Sequence, residues 1–427
     1  MKNKIKLNID SFLEYVLALL LILGANSVYS VTIKYNFHIN ILTSLVLLLY
    51  VLKKIIIKKN IKETINNIKT LLEKHYLFYI IFYTVLIIFA LINDVHQFNF
   101  VSLFLIILPL FVLLYSENEN TITTIMKKVL DLTVIIAITS LLSYLLIDIL
   151  KVIDYTGKLG INWGEEKLIK SFLNIYFQTQ YFQLNNFYIV RNTGIFVEAP
   201  MYSLILILAI SYYEFFIENQ EKNSLLIRAI LIITLLTTFS TTGYLLLIII
   251  YLYKVFRYLM RKNSRSLKNN SLKYIIIVIS IIAVALCAFL LVNRLRTSSG
   301  STRVDDYVAS YKAWINSSII KGVGFGNEDT IKLYMSDFRK DNQGLSNSLM
   351  VIIAEGGLYL LLIYFIPFLI SSISFYKQKK YEYLYFNVIV LFLLISTIFF
   401  CTNTMINILS IWITYMIKHI KEKSKDN

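Results

Sequence analysis

Uninterrupted apolar stretches rich in Leu and Ile recur along the whole chain, separated by short polar segments that carry most of the lysines. A helix needs about 20 predominantly apolar residues to cross a bilayer. A membrane barrel would show segments of about ten residues with alternating polarity, and these stretches do not alternate. The pattern predicts an all-α polytopic membrane protein with about twelve transmembrane helices. They are expected at 12–30, 38–52, 76–93, 99–115, 129–150, 198–217, 227–240, 242–256, 274–292, 347–375, 384–401 and 403–417. The first follows Lys2, Lys4 and Lys6 and ends among Gly24, Ala25, Ser27 and Ser30, in the manner of a secretory signal. With so many stretches behind it, it is expected to remain as an uncleaved helix.

Composition sharpens this. Hydrophobic residues make up 57% of the 427 and charged residues 16%, with mean hydropathy +0.66. A soluble domain carries about 25% charged residues, so a soluble globular protein is excluded and residues 1–427 read as a single integral membrane domain. The net charge of +16 is unevenly placed. About two thirds of the 42 Lys and Arg residues fall at the termini and in 53–75, 116–128, 218–228, 254–273 and 376–383, while the acids divide evenly. Basic residues mark the cytoplasmic side, so both termini are expected there. The run Lys254, Arg257, Arg261, Lys262, Arg265, Lys268 reads as an anchor on lipid headgroups, with no nucleic-acid partner. Cys287 and Cys401 lie inside apolar stretches, which argues against a disulfide framework or a thiolate zinc site.

This orientation leaves two long outer loops, 151–197 and 293–346, each expected to contain short amphipathic helices. Loops of such length are usually functional or disordered. Phe172, Tyr176, Phe177, Tyr181, Phe182, Phe187 and Tyr188 crowd the first, suiting a helix or hairpin at the membrane interface, with sugar stacking as a second use. In the second, Thr302-Arg303-Val304-Asp305 has the form of a helix start. Val304, Tyr307, Val308, Tyr311, Trp314 and Ile315 then form an apolar face expected to pack over the membrane core. Gly322, Gly324 and Gly326 read as a structural turn, since no Lys-Ser/Thr follows to make a nucleotide loop.

The candidate chemistry is basic and acidic. Arg191, Arg294, Arg296, Arg303 and Arg339 lie on the outer side, and a guanidinium fork matches two phosphate oxygens. Glu198 stands seven residues after Arg191 at the mouth of the sixth stretch. Glu355 lies on the order of 13 Å along the tenth helix, where a carboxylate faces a polar cavity or a cation. Glu14, Asp131 and Glu214 are expected to snorkel or cap near inner helix ends. His38, His75, His96 and His419 are scattered and no HExxH occurs, so no metal and no cofactor is expected.

Four stretches together resemble the O-antigen polymerase and O-antigen ligase superfamily, which includes Wzy-type polysaccharide polymerases. They are Arg191 to Pro200; Thr237-Thr238-Phe239-Ser240-Thr241-Thr242-Gly243; Ser301-Thr302-Arg303 through Trp314 to Gly326; and Ser346-Asn347-Ser348-Leu349 leading to Ala354-Glu355-Gly356-Gly357. The resemblance covers most of 190–375. It implies a metal-independent, inverting glycosyltransferase of the GT-C kind that polymerises undecaprenyl-diphosphate-linked repeat units at the outer leaflet. Arg191 and Arg303 would grip the diphosphate, with Arg294, Arg296 and Arg339 as helpers. Glu198 is the first candidate base and Glu355 the second, and Trp314 and Asn347 are candidate substrate contacts. The partners implied are the lipid-linked glycan, membrane lipid and other polysaccharide-assembly proteins such as a chain-length regulator. Ligases typically carry histidine where this chain has Ser346, which favours the polymerase. A ligase and a lipid-linked oligosaccharide flippase remain the alternatives.

Overall fold

The structure, a computed structural model, describes residues 9–32, 36–57, 88, 100–163, 165–184, 187–217, 224–262, 298–339 and 344–426. Arg294, Arg296, the stretch expected at 274–292 and nearly all of 76–93 lie outside the described residues. The helices are α1 (Ile9–Leu23), α2 (Val28–Val31), α3 (Asn36–Ile57), α4 (Val101–Glu117), α5 (Asn120–Ile149), α6 (Ala199–Ile217) and α7 (Ser224–Thr237). They continue with α8 (Thr241–Lys262), α9 (Ser298–Asn316), α10 (Glu328–Lys332), α11 (Ser348–Lys377), α12 (Tyr381–Ser396) and α13 (Asn403–Asp426). Among the described residues, α5, α6 and α11 are long and apolar enough to cross a membrane, and α4, α12 and most of α7 are shorter apolar helices.

The chain packs as two compact units. One comprises Met1–Ile135, Lys158–Ile169 and Asp306–Asn427; the other comprises Ile136–Gly157 and Lys170–Asp305.

In the first unit α11 packs along α13 and α12, and α13 also lies against α4. Two polar side chains inside this apolar bundle find partners across helices: Trp412 Nε1 donates to Asn387 Oδ1 at 2.9 Å, and Tyr364 Oη to the Phe400 carbonyl at 2.7 Å. The feature that organises the unit is an interruption in α11. Gly357 adopts φ 56° and ψ −152°, outside helical space. A break at that depth would leave amides and carbonyls bare in hydrocarbon, each at a cost of several kcal/mol. Residues 319–324 fill it. Val323 N–H donates to the Ala354 carbonyl (2.8 Å) and Gly324 N–H to that of Glu355 (3.0 Å), while Leu358 and Tyr359 N–H reach the Ile319 and Ile320 carbonyls (3.0 and 3.1 Å). The alternate glycines at 322, 324 and 326 all take positive φ, as the expected turn requires.

Helix α9 departs from expectation twice. It already runs from Ser298, so Thr302 to Asp305 lie inside the helix rather than at its start. Its large apolar residues Val304, Val308, Tyr311 and Ile315 are exposed, and the buried face carries Asp305, Asp306, Ala309, Ser310 and Ala313. Small residues allow close packing, and Asp306 has a buried cationic partner, so the polar side turns inward.

In the second unit α6 contacts α7 and α8 and is buried all round, which fits its unbroken hydrophobicity. Glu214 at its end does not snorkel. It is buried and bound by Arg228 (2.7 Å), Tyr251 Oη (2.9 Å) and Lys254. Nor do Glu14 and Asp131 stand alone: Tyr50 donates to Glu14 at 2.6 Å and Tyr15 to Asp131 at 3.1 Å, both within the first unit.

The first long loop corrects the all-α expectation, because it forms strands where short amphipathic helices were expected. Strands β1 (Gly157–Trp163), β2 (Glu165–Phe172) and β3 (Tyr176–Gln178) make one sheet in that order, and β4 (Tyr181–Leu184) pairs with β5 (Phe187–Val190). Aromatic residues favour a pleated, half-buried surface, and Leu173 and Asn174 at φ 48° and 56° make the β2–β3 turn. Within the second unit Tyr176 packs with Tyr144 and Ile147 as a small core. Asp148 accepts hydrogen bonds from Tyr155 and Tyr176, both at 2.6 Å. Burial, reinforced by that carboxylate, holds both phenols above their ordinary range.

A Cβ at Gly357 would sit 2.5 Å from the Ile320 carbonyl oxygen, on top of the strained φ. Gly357→Ala should therefore destabilise the protein by about 1–3 kcal/mol or more, read as a lowered thermal midpoint in detergent. An unchanged midpoint would show that the interruption is not structurally required.

Candidate functional site

Arg191 follows directly on β5, and its fork is fixed by the turn between α7 and α8. Nε donates to the Thr238 carbonyl (2.8 Å) and Nη2 to that of Phe239 (3.1 Å). Nη1 donates to Gln180 Oε1 (3.3 Å), which also accepts the Ala199 N–H (3.1 Å) at the start of α6. Asn192 reinforces the junction through its N–H to the Thr237 carbonyl and Nδ2 to Thr237 Oγ1, both at 3.0 Å. Two of the four stretches singled out in the sequence, 191–200 and 237–243, thus meet in the second unit.

Burial pushes the Arg191 guanidinium down to about 10, with Glu198 acting to raise it and Arg303 to lower it. The group remains charged at neutral pH, and Arg191, Arg303 and Glu198 lie within electrostatic reach of one another. Three of the five guanidinium N–H groups are engaged by protein acceptors, which leaves donor capacity on both Nη1 and Nη2. Glu198 is the N-cap residue of α6, where its charge is favoured by the helix dipole.

Of the other two stretches, the part from Asp306 to Gly326 meets 346–357 in the first unit. Arg339 is 1% exposed. It donates to Asp306 Oδ1 at 2.6 Å and to the Gly344 carbonyl at 2.8 Å, and Ser346 Oγ also donates to Asp306. Burial raises the Asp306 carboxyl, opposed by the hydrogen bonds from Ser346 and Arg339. Arg339, expected to help hold phosphate, is placed with its fork in a buried ion pair to Asp306. Asn347 likewise acts as a cap, its Oδ1 accepting the Met350 N–H at 2.8 Å at the start of α11. Trp314, expected to contact substrate, spends its indole N–H on the Ile319 carbonyl at 2.9 Å and braces the segment that fills the α11 break.

Glu355 resolves the choice left open for it. Among the described residues it forms no ion pair; it accepts the Gly326 N–H at 3.0 Å and lines a cavity of about 540 Å³. Asn403, Glu328, Lys332, Trp163 and Phe325 share that wall. No set of three or more His, Cys, Asp or Glu side chains that could hold a metal occurs among the described residues. Sequence reasoning missed Gln180 and Asn403. A glutamine in an aromatic loop carries no signal, whereas Asn403, flanked by Thr402 and Thr404 between two apolar stretches, is a polar cluster that could have been noticed.

Compared with protein-family models and with curated proteins, the sequence matches none of them.

Removing one partner of a buried ion pair leaves an uncompensated charge, at about 3–5 kcal/mol. Arg339→Ala should accordingly lower the thermal midpoint by several degrees or prevent folding, measured by fluorescence-monitored unfolding. A stable Arg339→Ala protein would return Arg339 to the set of substrate-facing cations.

Proposed function

We propose that this membrane protein is a metal-independent, inverting glycosyltransferase that polymerises polyprenyl-diphosphate-linked saccharide repeat units at the outer face of the membrane. The observation that carries this reading is that Arg191 and Arg303 lie within electrostatic reach of one another in one unit, with the Arg191 fork held by backbone carbonyls and, among the described residues, N–H groups still available. Two guanidinium groups held close repel one another, and a diphosphate with matching charge relieves that repulsion.

The chemistry needs no nucleotide. A hydroxyl of the acceptor saccharide attacks the anomeric carbon of the donor, and the bond from that carbon to the diphosphate oxygen breaks. The diphosphate departs on its lipid carrier, its growing negative charge stabilised by Arg191 and Arg303. The hydroxyl proton passes to a carboxylate, for which Glu198 is the candidate in the same unit as the arginines. Attack from the face opposite the leaving group inverts the anomeric centre.

One observation favours a second reading, a lipid-linked oligosaccharide transporter: α11 is interrupted at membrane depth, as transporter helices often are. That sign is expected in two corresponding helices. Among the described residues only α11 carries non-helical backbone inside a merged helix, and chain residues fill its gap.

Purified protein supplied with the lipid-diphosphate-linked repeat unit alone should give a ladder of lengthening products. Transfer only onto an added second acceptor would identify a ligase, and intact substrate moved between leaflets a flippase. Arg303→Ala and Arg191→Ala should each reduce polymer formation by about 10²- to 10³-fold, as loss of a preorganised charge donor does, with membrane insertion intact. Arg191→Lys, which keeps the charge and loses the fork, should fall between. Full-length polymer from either alanine variant would refute the arginine assignment.

A further inference from the structure

The cavity of the first unit has a wall chemistry that the arginine reading does not use. Glu355 is 2% exposed, and among the described residues only its Oε2 accepts a hydrogen bond. Asn403 is 1% exposed; its Nδ2 donates to Thr43 Oγ1 at 3.1 Å, while no donor reaches Oδ1 among the described residues. Buried acceptors without a donor are costly and rare in folded proteins. Glu328 lies within electrostatic reach of Glu355 and adds a second carboxylate. Among the described residues of the wall the one lysine, Lys332, is held by Asp329 at 2.8 Å. The cavity therefore asks for hydroxyl or amine hydrogens and repels anions, which separates it from any phosphate site.

Its size and its aromatic side narrow the ligand. About 540 Å³ lies in the range of small-molecule pockets and far exceeds the space of a single ion. Phe325 is braced by Phe100, Phe400 and Phe104 with ring centroids 4.9, 6.3 and 6.4 Å away, so that wall is rigid. Rigid ring faces beside carboxylate and amide acceptors suit molecules with apolar C–H faces and peripheral hydroxyls, which is the chemistry of pyranose sugars. An alkyl chain would leave the acceptors unmet.

We propose that this cavity is a binding site for a neutral oligosaccharide, with Glu355 and Asn403 accepting its hydroxyl hydrogens. It is a site for sugar alone, distinct in charge from the arginine cluster. The proposal rests on the glycosyltransferase reading in one respect, the choice of the repeat unit as probe.

The test is equilibrium dialysis of the full-length protein in detergent against the repeat-unit oligosaccharide. Mild acid releases this from the lipid-linked pool of the source cells, and it is tritiated at its reducing end. Saturable binding is expected, undisturbed by a sugarless polyprenyl diphosphate and weakened about tenfold or more in Glu355→Gln, since hydrogen bonds to charged groups contribute on that scale. Asn403→Leu should weaken it too, and if that variant does not fold, Glu355→Gln carries the test alone. No saturable binding to the unaltered protein, displacement by the sugarless diphosphate, or full affinity in Glu355→Gln would each overturn the proposal. A protein that binds the oligosaccharide yet transfers nothing keeps this site and loses the glycosyltransferase reading. One that builds polymer with affinity untouched by Glu355→Gln loses this site alone.

Discussion

Backbone polar groups in hydrocarbon must find partners inside the protein, and the first unit is arranged around one place where a helix alone cannot supply them. At Gly357 the ladder of α11 stops, and four hydrogen bonds from residues 319–324 take over from it. The exchange depends on two backbones approaching closely, with Gly322 on one side and Gly357 on the other, both at positive φ. It also positions the chemistry. Gly326, two residues past the last of these bonds, donates to Glu355, two residues before the break. The constraint that closes the helix thus fixes the carboxylate at the cavity wall.

Each unit shows a different electrostatic character. The second gathers Arg191, Arg303 and Glu198 near a turn whose carbonyls pin a guanidinium, an arrangement suited to an anion. The first buries its own arginine, Arg339, against Asp306 and presents Glu355 and Asn403 to the cavity.

Much of the helical architecture was legible, because an apolar run in a membrane protein leaves the backbone few options. Helices α6, α8, α11 and α13 begin within one or two residues of the expected positions. The glycine turn at 322–326 was legible too. Faces and partners were not. In water the large apolar residues of α9 would turn inward; beside a bilayer nothing forces them to, and a buried Asp306–Arg339 pair decides the orientation instead. For 151–197 the sequence left helix and hairpin open, because Tyr and Phe fit either structure and turn residues such as Leu173 and Asn174 announce themselves weakly. Arg339 illustrates the general difficulty: a sequence displays a cation but not whether its counter-charge belongs to the protein or to a ligand.

The patch across α11 also bears on biogenesis. Residues 319–324 emerge from the ribosome ahead of 354–359, so the turn segment that fills the gap exists before the helix that requires it. Emergence order favours local assembly of what is already outside, and the thirty-residue apolar segment can enter the bilayer with its cover present. Reversing that order, as a circular permutation between 327 and 346 would do, would ask the translocation machinery to insert a helix with an unsealed gap.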